Sequence, residues 1–583
     1  MNTFTVSKLQ SVSELIQLRS RLLNEEEQAG LARKERILIC MGGGCLASGA
    51  RKLKDEFHKQ LHHAHLHNSV EVKGIGCPGP CSHGPVVIID SDKTLYQNVS
   101  PGDISEIIEQ HIQNRQIVER LIFRDNTDGK SASSIADIEF FKRQTKIVLH
   151  NCGTVDPLSI NDYISHNGYA ALSKVLCGMT PETVIREIEK SGLRGRGGAG
   201  FPTSLKWSLA SKSSSSQKYI ICNADEGDPG AYMNRSELEG DPHSIIEGMA
   251  IGAFAIGANE GFVYVRAEYL LAVERLQNAI NQTKEYGLLG DNILGSGFSF
   301  NLEIRMGSGA FVCGEETALI ASIEGKRGEP RPRPPFPVQR GLWGKPTVIN
   351  NVETFVNVPV ILLNGGDRFA SYGTQKSKGT KVFALAGSVR HSGLVEVPIG
   401  TTLRELIYNI GGGTVNDRPF KAALIGGSSG GCIPKEHLDV PLDYESLNEL
   451  GAIMGSGGLI IIDETSCMVD VARFFFEFVT EESCGKCTPC RVGTKRILEI
   501  LLRICDGEGK PGDIEKLIHL GEEIKRTSLC GLGQSAPNFV LSAIRYFRNE
   551  FEAHITRHCE AGVCFREKKF NDLEIQHSAS TKD

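Results

Sequence analysis

Three thiols sit on one tight loop at Cys484-x2-Cys487-x2-Cys490, in ESCGKCTPCRVGT, and Cys530 in SLCGLG lies on a later segment. Three thiolates at this spacing can meet three corners of a cubane, and a remote fourth closes it. The pattern predicts a [4Fe–4S] cluster, whereas a zinc ribbon uses two CxxC knuckles. A second set pairs Cys40-x4-Cys45 with Cys77-x3-Cys81, each pair in a turn after a predicted strand. Wide loops of this kind wrap a flat two-iron rhomb, so [2Fe–2S] is expected here, with a four-cysteine zinc as the alternative. A third group, His554-x4-Cys559-x4-Cys564, lies near the C-terminus. Two reduced thiols beside an imidazole suit tetrahedral zinc if a fourth ligand is supplied. Cys467 in DETSCMVD is the first candidate and His558 competes with it; the alternative is a metal-free, disulfide-prone tail.

The other chemistry-bearing residues cluster around glycines. GLRGRGGAGFPTSLKW (192–207) contains Gly195-x-Gly197-x-x-Gly200, but PETVIREIEKSG before it reads as a helix, so the strand required by the Rossmann fingerprint is missing. Backbone N–H groups freed by Gly195, Gly197 and Gly198, with Arg196 and Lys206 as cations and a helix beginning near Thr203, still make a phosphate cradle. A plain loop is the alternative, at a high entropic cost for so many glycines. Asn223, Asp225, Glu226 and Asp228 follow the strand-like KYIIC; Gly314, Glu315 and Glu316 follow the strand-like GAFVC; Asn350, Asn351 and Thr354 open a helix. Such side chains at strand ends suit the ring edge and hydroxyls of a bound nucleotide, or else serve as helix N-caps.

The chain that must position these groups has 583 residues, 40% hydrophobic and 23% charged, long enough for several domains with real cores. Lys plus Arg number 64 against 70 acidic residues, a net charge of −6, which leaves no basic field for a nucleic acid. Glycine, at 64 residues, exceeds the usual ~7%. No apolar run is long enough to span a membrane, and the start reads as an amphipathic helix rather than a signal peptide. A cytoplasmic protein without membrane insertion is expected, its 17 cysteines reduced rather than paired.

Along the chain, 1–122 reads as a small α/β unit with a leading helix, and 123–139 as a polar linker. A large α/β domain follows over 140–375, including the extended proline-rich loop RGEPRPRPPFPVQRG. A small mixed β domain covers 376–463, a helical bundle 464–552, and a tail 553–583. The fold class is multidomain α/β.

In order, GLRGRGGAGFP, NADEGDPGAY, GAFVCGEETAL, PPFP, LWGKPTVINNVET and ESCGKCTPCRVGT resemble the flavin-binding, NADH-oxidising subunit of respiratory complex I and its relatives in NAD-dependent hydrogenases and formate dehydrogenases. Residues 1–122 resemble the thioredoxin-like [2Fe–2S] domain, and 376–463 a soluble-ligand-binding β-grasp module. Fusion of these parts, with CEAGVC near the end, is most similar to the diaphorase subunit of multimeric, often electron-bifurcating enzymes. The resemblance implies FMN against Gly195, Arg196, Gly197, Gly198, Lys206, Asn223, Asp225, Glu226, Gly314, Glu315, Asn350, Asn351 and Thr354, and a nicotinamide dinucleotide near Phe201, Phe336 and Glu316. Asp228 stands where Glu is frequent and Arg333 where Lys is usual, which bears on NADH against NADPH. It also implies hydride transfer from NADH to FMN without an acid–base catalyst, with single electrons leaving through the clusters. The implied partners are the iron–sulfur and catalytic subunits of a hetero-oligomeric hydrogenase or formate dehydrogenase, and ferredoxin. The alternatives are the NADH-input module of a respiratory enzyme and a non-enzymatic ligand-binding scaffold.

Overall fold

Parallel pairing brings the N-terminal cysteine loops together. In the computed structural model, which describes residues 8–31, 35–124 and 133–565, β1 (Glu35–Cys40) runs parallel to β2 (Val70–Ile75), with Cys40 opposite Ile75. The segments after both strands therefore leave the sheet side by side. β3 (Val87–Ile89) and β4 (Thr94–Tyr96) complete the order β2-β1-β3-β4. Helix Ala50–His63 makes the crossover that parallel strands require, burying Leu53, Phe57 and Leu61 along one stripe.

The leading helix, Val12–Leu31, packs away from this sheet. Leu15 and Leu18 join the core of the large central domain, and Arg19 donates to the carbonyls of Ile164 and Gly168 at 3.1 and 2.9 Å. Its apolar period specifies a buried face and says nothing of what covers it. Of the linker read at 123–139, residues 125–132 lie outside the described residues, as does the tail beyond 565, while Ser134 bridges back to Thr94 and a short helix starts at Glu139.

The central sheet is wholly parallel: β5 (Tyr219–Ala224), β6 (Glu260–Arg266), β7 (Asn301–Gly307) and β8 (Thr347–Asn351), in the order β7-β6-β5-β8. Asn223 lies opposite Asn351, so the polar residues that end these strands gather at the carboxyl edge, where open α/β sheets bind ligands. Helix Pro242–Ile256 is buried at every residue but Phe254; a Cβ on its Gly248 would sit 2.1 Å from the Phe355 carbonyl oxygen of helix Val352–Asn364. GAFVC, expected as strand, is instead a 3₁₀ turn, Phe311–Gly314. Gly309, at φ +82°, turns the chain out of the sheet after β7, and the Phe311 N–H donates to Glu482 at 2.8 Å. The proline-rich segment is extended and ends in one helical turn, Pro337–Arg340.

β9 (Thr380–Gly387), β10 (Gly393–Pro398), β11 (Phe420–Ile425), β12 (Gly431–Pro434) and β13 (Gly458–Asp463) form a mixed sheet in the order β10-β9-β13-β11-β12. Helices Met468–Glu482, Thr488–Cys505, Asp513–Thr527 and Asn538–Ile555 then run up and down as a bundle. This topology puts 483–487 and 528–537 at one end and Cys467, Cys505 and His554 at the other. Among the described residues no helix is long and apolar enough to cross a membrane.

Candidate functional site

At the carboxyl edge of the parallel sheet lies a cavity of 520 Å³, walled by Gly197, Gly198, Asn223, Asp225, Gly314 and Asn351. The small β domain contributes Tyr444 and Gly455, and the bundle contributes Gly531 and Leu532. Gly198 has φ +115°, and a Cβ there would lie 3.2 Å from the Gly455 backbone; a Cβ on Gly197 would lie 3.2 Å from Asn351 Cβ. The loop is thus a bare-backbone wall of the kind that phosphates and ribityl chains approach closely.

Strand ends fix the polar wall. Asn223 Nδ2 donates to the Gly314 carbonyl at 2.9 Å, and the Asp225 N–H donates to Asn223 Oδ1 at 3.1 Å. Glu226 accepts the N–H groups of Asn234 and Arg235 at 3.0 Å each, and burial raises its pKa. Asp225 Oδ2 is buried without a hydrogen-bond partner, and burial pushes the carboxyl up to about 7 even with Arg266 nearby. An unpartnered acceptor on the cavity wall fits a ligand hydroxyl, as the ribityl chain of FMN would supply.

The raised Asp225 carboxyl fixes a pH dependence. The folded state holds this proton up to about pH 7 while the unfolded chain releases it near 3.8, so the contribution to stability is full below 3.8 and is lost as pH rises to about 7. Flavin-free Asp225→Asn protein is expected to lose less thermal stability than wild type between pH 5 and 7.5, by an amount on the order of 3 kcal/mol. Parallel melts across that range check it; identical slopes refute it.

A second cavity, of 910 Å³, shares Ala199, Glu315 and Gly531 with the first. Phe201 and Phe336 line it at 45% and 47% exposure, presenting aromatic faces on which a base or nicotinamide can stack. Arg333 is already paired with Glu316, Nη1 to Oε1 at 2.7 Å, and Lys206 Nζ donates to the Ile349 carbonyl at 2.8 Å.

The other residues expected at the flavin are distributed over the second cavity and the layer behind the first. Lys206 lines the outer cavity rather than the inner one. Arg196 is fully buried and its guanidinium is used on three carbonyls, those of Arg194, Lys378 and Thr380, at 2.7–3.0 Å to its nearest acceptors. Arg194 is the arginine on the cavity wall, because a side chain with that many donors buries only where carbonyls satisfy them. Thr354 Oγ1 accepts the Arg196 N–H at 2.9 Å, Asn350 Oδ1 accepts from the Trp207 indole at 3.0 Å, and the Gly195 carbonyl accepts from Tyr444. These three support the wall from behind. Glu315 combines the two readings of its residue type, lining both cavities while capping the Thr317 and Ala318 N–H groups. Ala199, Asn234, Tyr444, Gly455 and the Gly531–Ser535 turn escaped the sequence reading; the glycines flanking Cys530 in SLCGLG were the only local hint.

Cys484, Cys487, Cys490 and Cys530 converge on one small cavity whose wall includes Val312 and Leu532, and both of these also line the flavin-sized cavity. Burial pushes the Cys490 thiol up to about 11, and it is the convergence of four sulfurs on one small cavity that suits an iron–sulfur centre. On the other flank, Cys40, Cys45, Cys77 and Cys81 line another cavity, with Cys77 and Cys81 sulfurs 3.6 Å apart. Cβ atoms on Gly42 and Gly84 would press on Cys77 Cβ at 3.2 Å and Cys45 Sγ at 2.8 Å, so the loops are shaped to leave space at the sulfurs. Helix Met233–Gly240 links this group to the inner cavity: Arg235 lines the thiol cavity and Asn234 the inner one.

At the far end of the bundle, one ligand atom each of Cys467, His554, Cys559 and Cys564 lies within 4.8 Å of all the others. Cys467 Sγ is 3.3 Å from His554 Nε2 and 3.8 Å from Cys564 Sγ. Cys467 rather than His558 is the fourth member.

The two joined cavities thus have one four-cysteine group behind the Val312 and Leu532 wall of the inner one and a second beside helix Met233–Gly240, where FMN and iron–sulfur clusters, when bound, would supply electron transfer. That arrangement defines a nicotinamide-nucleotide-oxidising flavoprotein with iron–sulfur centres. Comparison with known proteins agrees along the chain: the Nuo51 FMN-binding domain matches 188–360, the NADH-ubiquinone oxidoreductase-F iron-sulfur binding region 470–554, the thioredoxin-like [2Fe-2S] ferredoxin 30–111 and the SLBB domain 382–432. NADP-reducing hydrogenase subunit HndC of Solidesulfovibrio fructosivorans is 58% identical over 73% of this chain and 86% of its own length. An NADH-quinone oxidoreductase subunit of Escherichia coli is 44% identical over 68% of this chain and 90% of its own. Among solved structures, the air-oxidized NAD+-reducing [NiFe]-hydrogenase aligns with TM-score 0.62 and 28% identity, covering 95% of this chain and 94% of that one. The chain belongs to this family of NADH dehydrogenase-type flavoprotein subunits, with FMN, [4Fe–4S] and thioredoxin-like [2Fe–2S] domains.

Proposed function

We propose that this chain is the nicotinamide-dinucleotide end of a multisubunit hydrogenase, exchanging electrons with separate iron–sulfur and catalytic subunits. The observation that carries the reading is the pair of joined cavities flanked by two groups of four cysteines, Cys484, Cys487, Cys490 and Cys530 for the cubane and Cys40, Cys45, Cys77 and Cys81 for the two-iron cluster. FMN, when bound, supplies the conversion between two-electron and one-electron transfer. The residues do the rest. Gly197 and Gly198 admit the phosphate and ribityl chain, Asp225 Oδ2 accepts a hydrogen bond from a ligand hydroxyl, and Phe201 and Phe336 hold the dinucleotide. Val312 and Leu532 fill the wall toward the cubane and keep water out of it. The similarity to hydrogenase subunits supports hydrogenase partners; formate dehydrogenase partners, ferredoxin as a co-substrate and flavin-based bifurcation are the finer readings we carry with it. The free cysteines support a reducing compartment such as the cytoplasm.

NADH is the expected reductant, because the Arg333 cation is neutralised by Glu316 and is not free for a 2′-phosphate. Steady-state kcat/KM with an artificial acceptor is expected to favour NADH over NADPH by at least about tenfold, the worth of one unmade charge-assisted hydrogen bond. Equal values would refute the nucleotide assignment, and protein without flavin and cluster absorbance after anaerobic purification would refute the whole reading.

We also propose zinc at Cys467, His554, Cys559 and Cys564. Tetrahedral thiolate ligands on zinc stand about 3.8 Å apart, and Cys467 and Cys564 already do. His554 Nδ1 donates to the Glu550 carbonyl at 2.7 Å, which turns Nε2 toward the thiols as metal-bound imidazoles require. Metal analysis is expected to find about one zinc per chain, lost in a Cys559→Ser, Cys564→Ser variant whose iron is unchanged. Wild-type protein without zinc would end this assignment.

A further inference from the structure

The thiols of the N-terminal cluster group come from residues 40–81, yet the cationic and hydroxyl groups against them come from beyond residue 122. Arg235 and Tyr232, around the start of helix Met233–Gly240, line the thiol cavity. Arg235 lies flat on the cysteine loop: a Cβ on Gly43 would fall 1.9 Å from its Nη2. Its Nε donates to Glu239 Oε1 at 2.8 Å, and Glu239 Oε2 accepts the Gly43 N–H at 2.7 Å. Tyr232 brings a hydroxyl to that lining, on the same wall as Cys81. Behind them, Arg275 Nη2 donates to the Met41 carbonyl at 2.6 Å, and Lys146 Nζ to the Pro78 carbonyl at 3.0 Å.

We propose that the central domain sets the reduction potential of the N-terminal [2Fe–2S] cluster, through the Arg235 guanidinium and the Tyr232 hydroxyl. Reduction adds one electron and no proton to a site that is already anionic. A cation at the loop and a hydrogen bond to a ligand sulfur both favour the reduced form. Glu239 pulls the other way, and Arg235 neutralises it; replacing the arginine therefore removes a cation and uncovers an anion, two effects of the same sign. Arg235 is 39% exposed, so solvent screens part of the effect, and a change of about tenfold is expected. The flavin and the cluster potential are thereby tied to one helix, since Asn234 on the same turn lines the flavin-sized cavity.

The inference rests on the assignment of Cys40, Cys45, Cys77 and Cys81 to a [2Fe–2S] cluster. Redox titration of the complete, cofactor-loaded chain, followed by electron paramagnetic resonance, tests it. Arg235→Gln is expected to shift the one-electron equilibrium of the [2Fe–2S] signal about tenfold toward the oxidised form, about 59 mV, with the [4Fe–4S] midpoint unchanged. Tyr232→Phe is expected to shift it about threefold in the same direction, and Arg235→Lys, which keeps the charge, to stay within about threefold of wild type. A Gln variant that titrates like wild type, or a Lys variant that moves as far as Gln, overturns the proposal. If the Gln variant loses its cluster, an unshifted Tyr232→Phe does so instead. A wild-type chain with no [2Fe–2S] signal would instead remove the cluster assignment underneath.

Discussion

Gly198→Val protein is expected to purify with at least about tenfold less FMN per iron than wild type, while both cluster signals persist. The residue holds φ +115°, which no β-branched residue adopts without strain of ~1–3 kcal/mol. Its Cβ would also meet the Gly455 backbone at 3.2 Å, and backbone cannot rotate out of the way as a side chain can. Relief requires the 195–200 loop to move off Gly455, which carries the bare N–H wall away from the cavity. At ~1.4 kcal/mol per factor of ten, even the lower part of that strain range approaches a tenfold loss of flavin affinity. Gly197→Ala grades the effect: its Cβ meets only Asn351 Cβ, at 3.2 Å and without positive φ, so most of the flavin should remain. The clusters are expected to survive because the loops of both thiol groups lie outside 195–200. Flavin-to-iron ratio after desalting decides the matter, and a normal ratio in Gly198→Val would refute the cradle.

How far the sequence carried this site depends on whether a residue's role is local. Cysteine spacing is local: x2 spacing on one loop marks Cys484, Cys487 and Cys490 as one centre, while Cys40 and Cys77 reach one edge only through the parallel pairing of β1 and β2, a long-range feature. Glycines and strand-end polar residues are local too, so the inner cavity wall at Gly197, Asn223, Asp225 and Asn351 was legible. The direction of a long side chain is not. Arg196 and Arg194 are two residues apart in the same motif, and only the carbonyls of Lys378 and Thr380, nearly two hundred positions away, decide which of them turns inward. The place of Lys206 on the outer cavity wall, held by the Ile349 carbonyl, needs the same long-range knowledge. GAFVC failed for a third reason: its apolar run is equally good as a strand or as a turn packed beneath the bundle, and the Glu482 acceptor that selects the turn lies far along the chain.

Lys381→Met is expected to cost about 3–5 kcal/mol, the cost of leaving a buried carboxylate without its counter-charge. Lys381 on β9 and Glu353 on helix Val352–Asn364 are both 0% exposed and meet at 2.5 Å. Glu353 also accepts the Val382 N–H at 3.1 Å, and Lys381 donates to the Val382 carbonyl at 2.8 Å, so the pair is satisfied on both sides. Methionine fills the stem but leaves an anion buried without a counter-charge. Glu237, buried with neither carboxylate oxygen hydrogen-bonded and its pKa raised by burial and then by Glu353, adds no compensating cation. The damage should reach the flavin wall, because Thr354, next to Glu353, holds the Arg196 N–H that anchors the glycine loop. Unfolding of so large a chain is not one transition, so the melt to follow is that of the flavin signal, expected to fall by about 10 °C in Lys381→Met. The double variant Lys381→Met, Glu353→Leu separates charge from packing. Removing both ions spares the desolvation cost of the orphaned carboxylate, and most of the lost stability should return. A double variant as unstable as Lys381→Met would mean that the pair acts through shape, and a single variant that melts like wild type would mean that the junction is held by its apolar contacts alone.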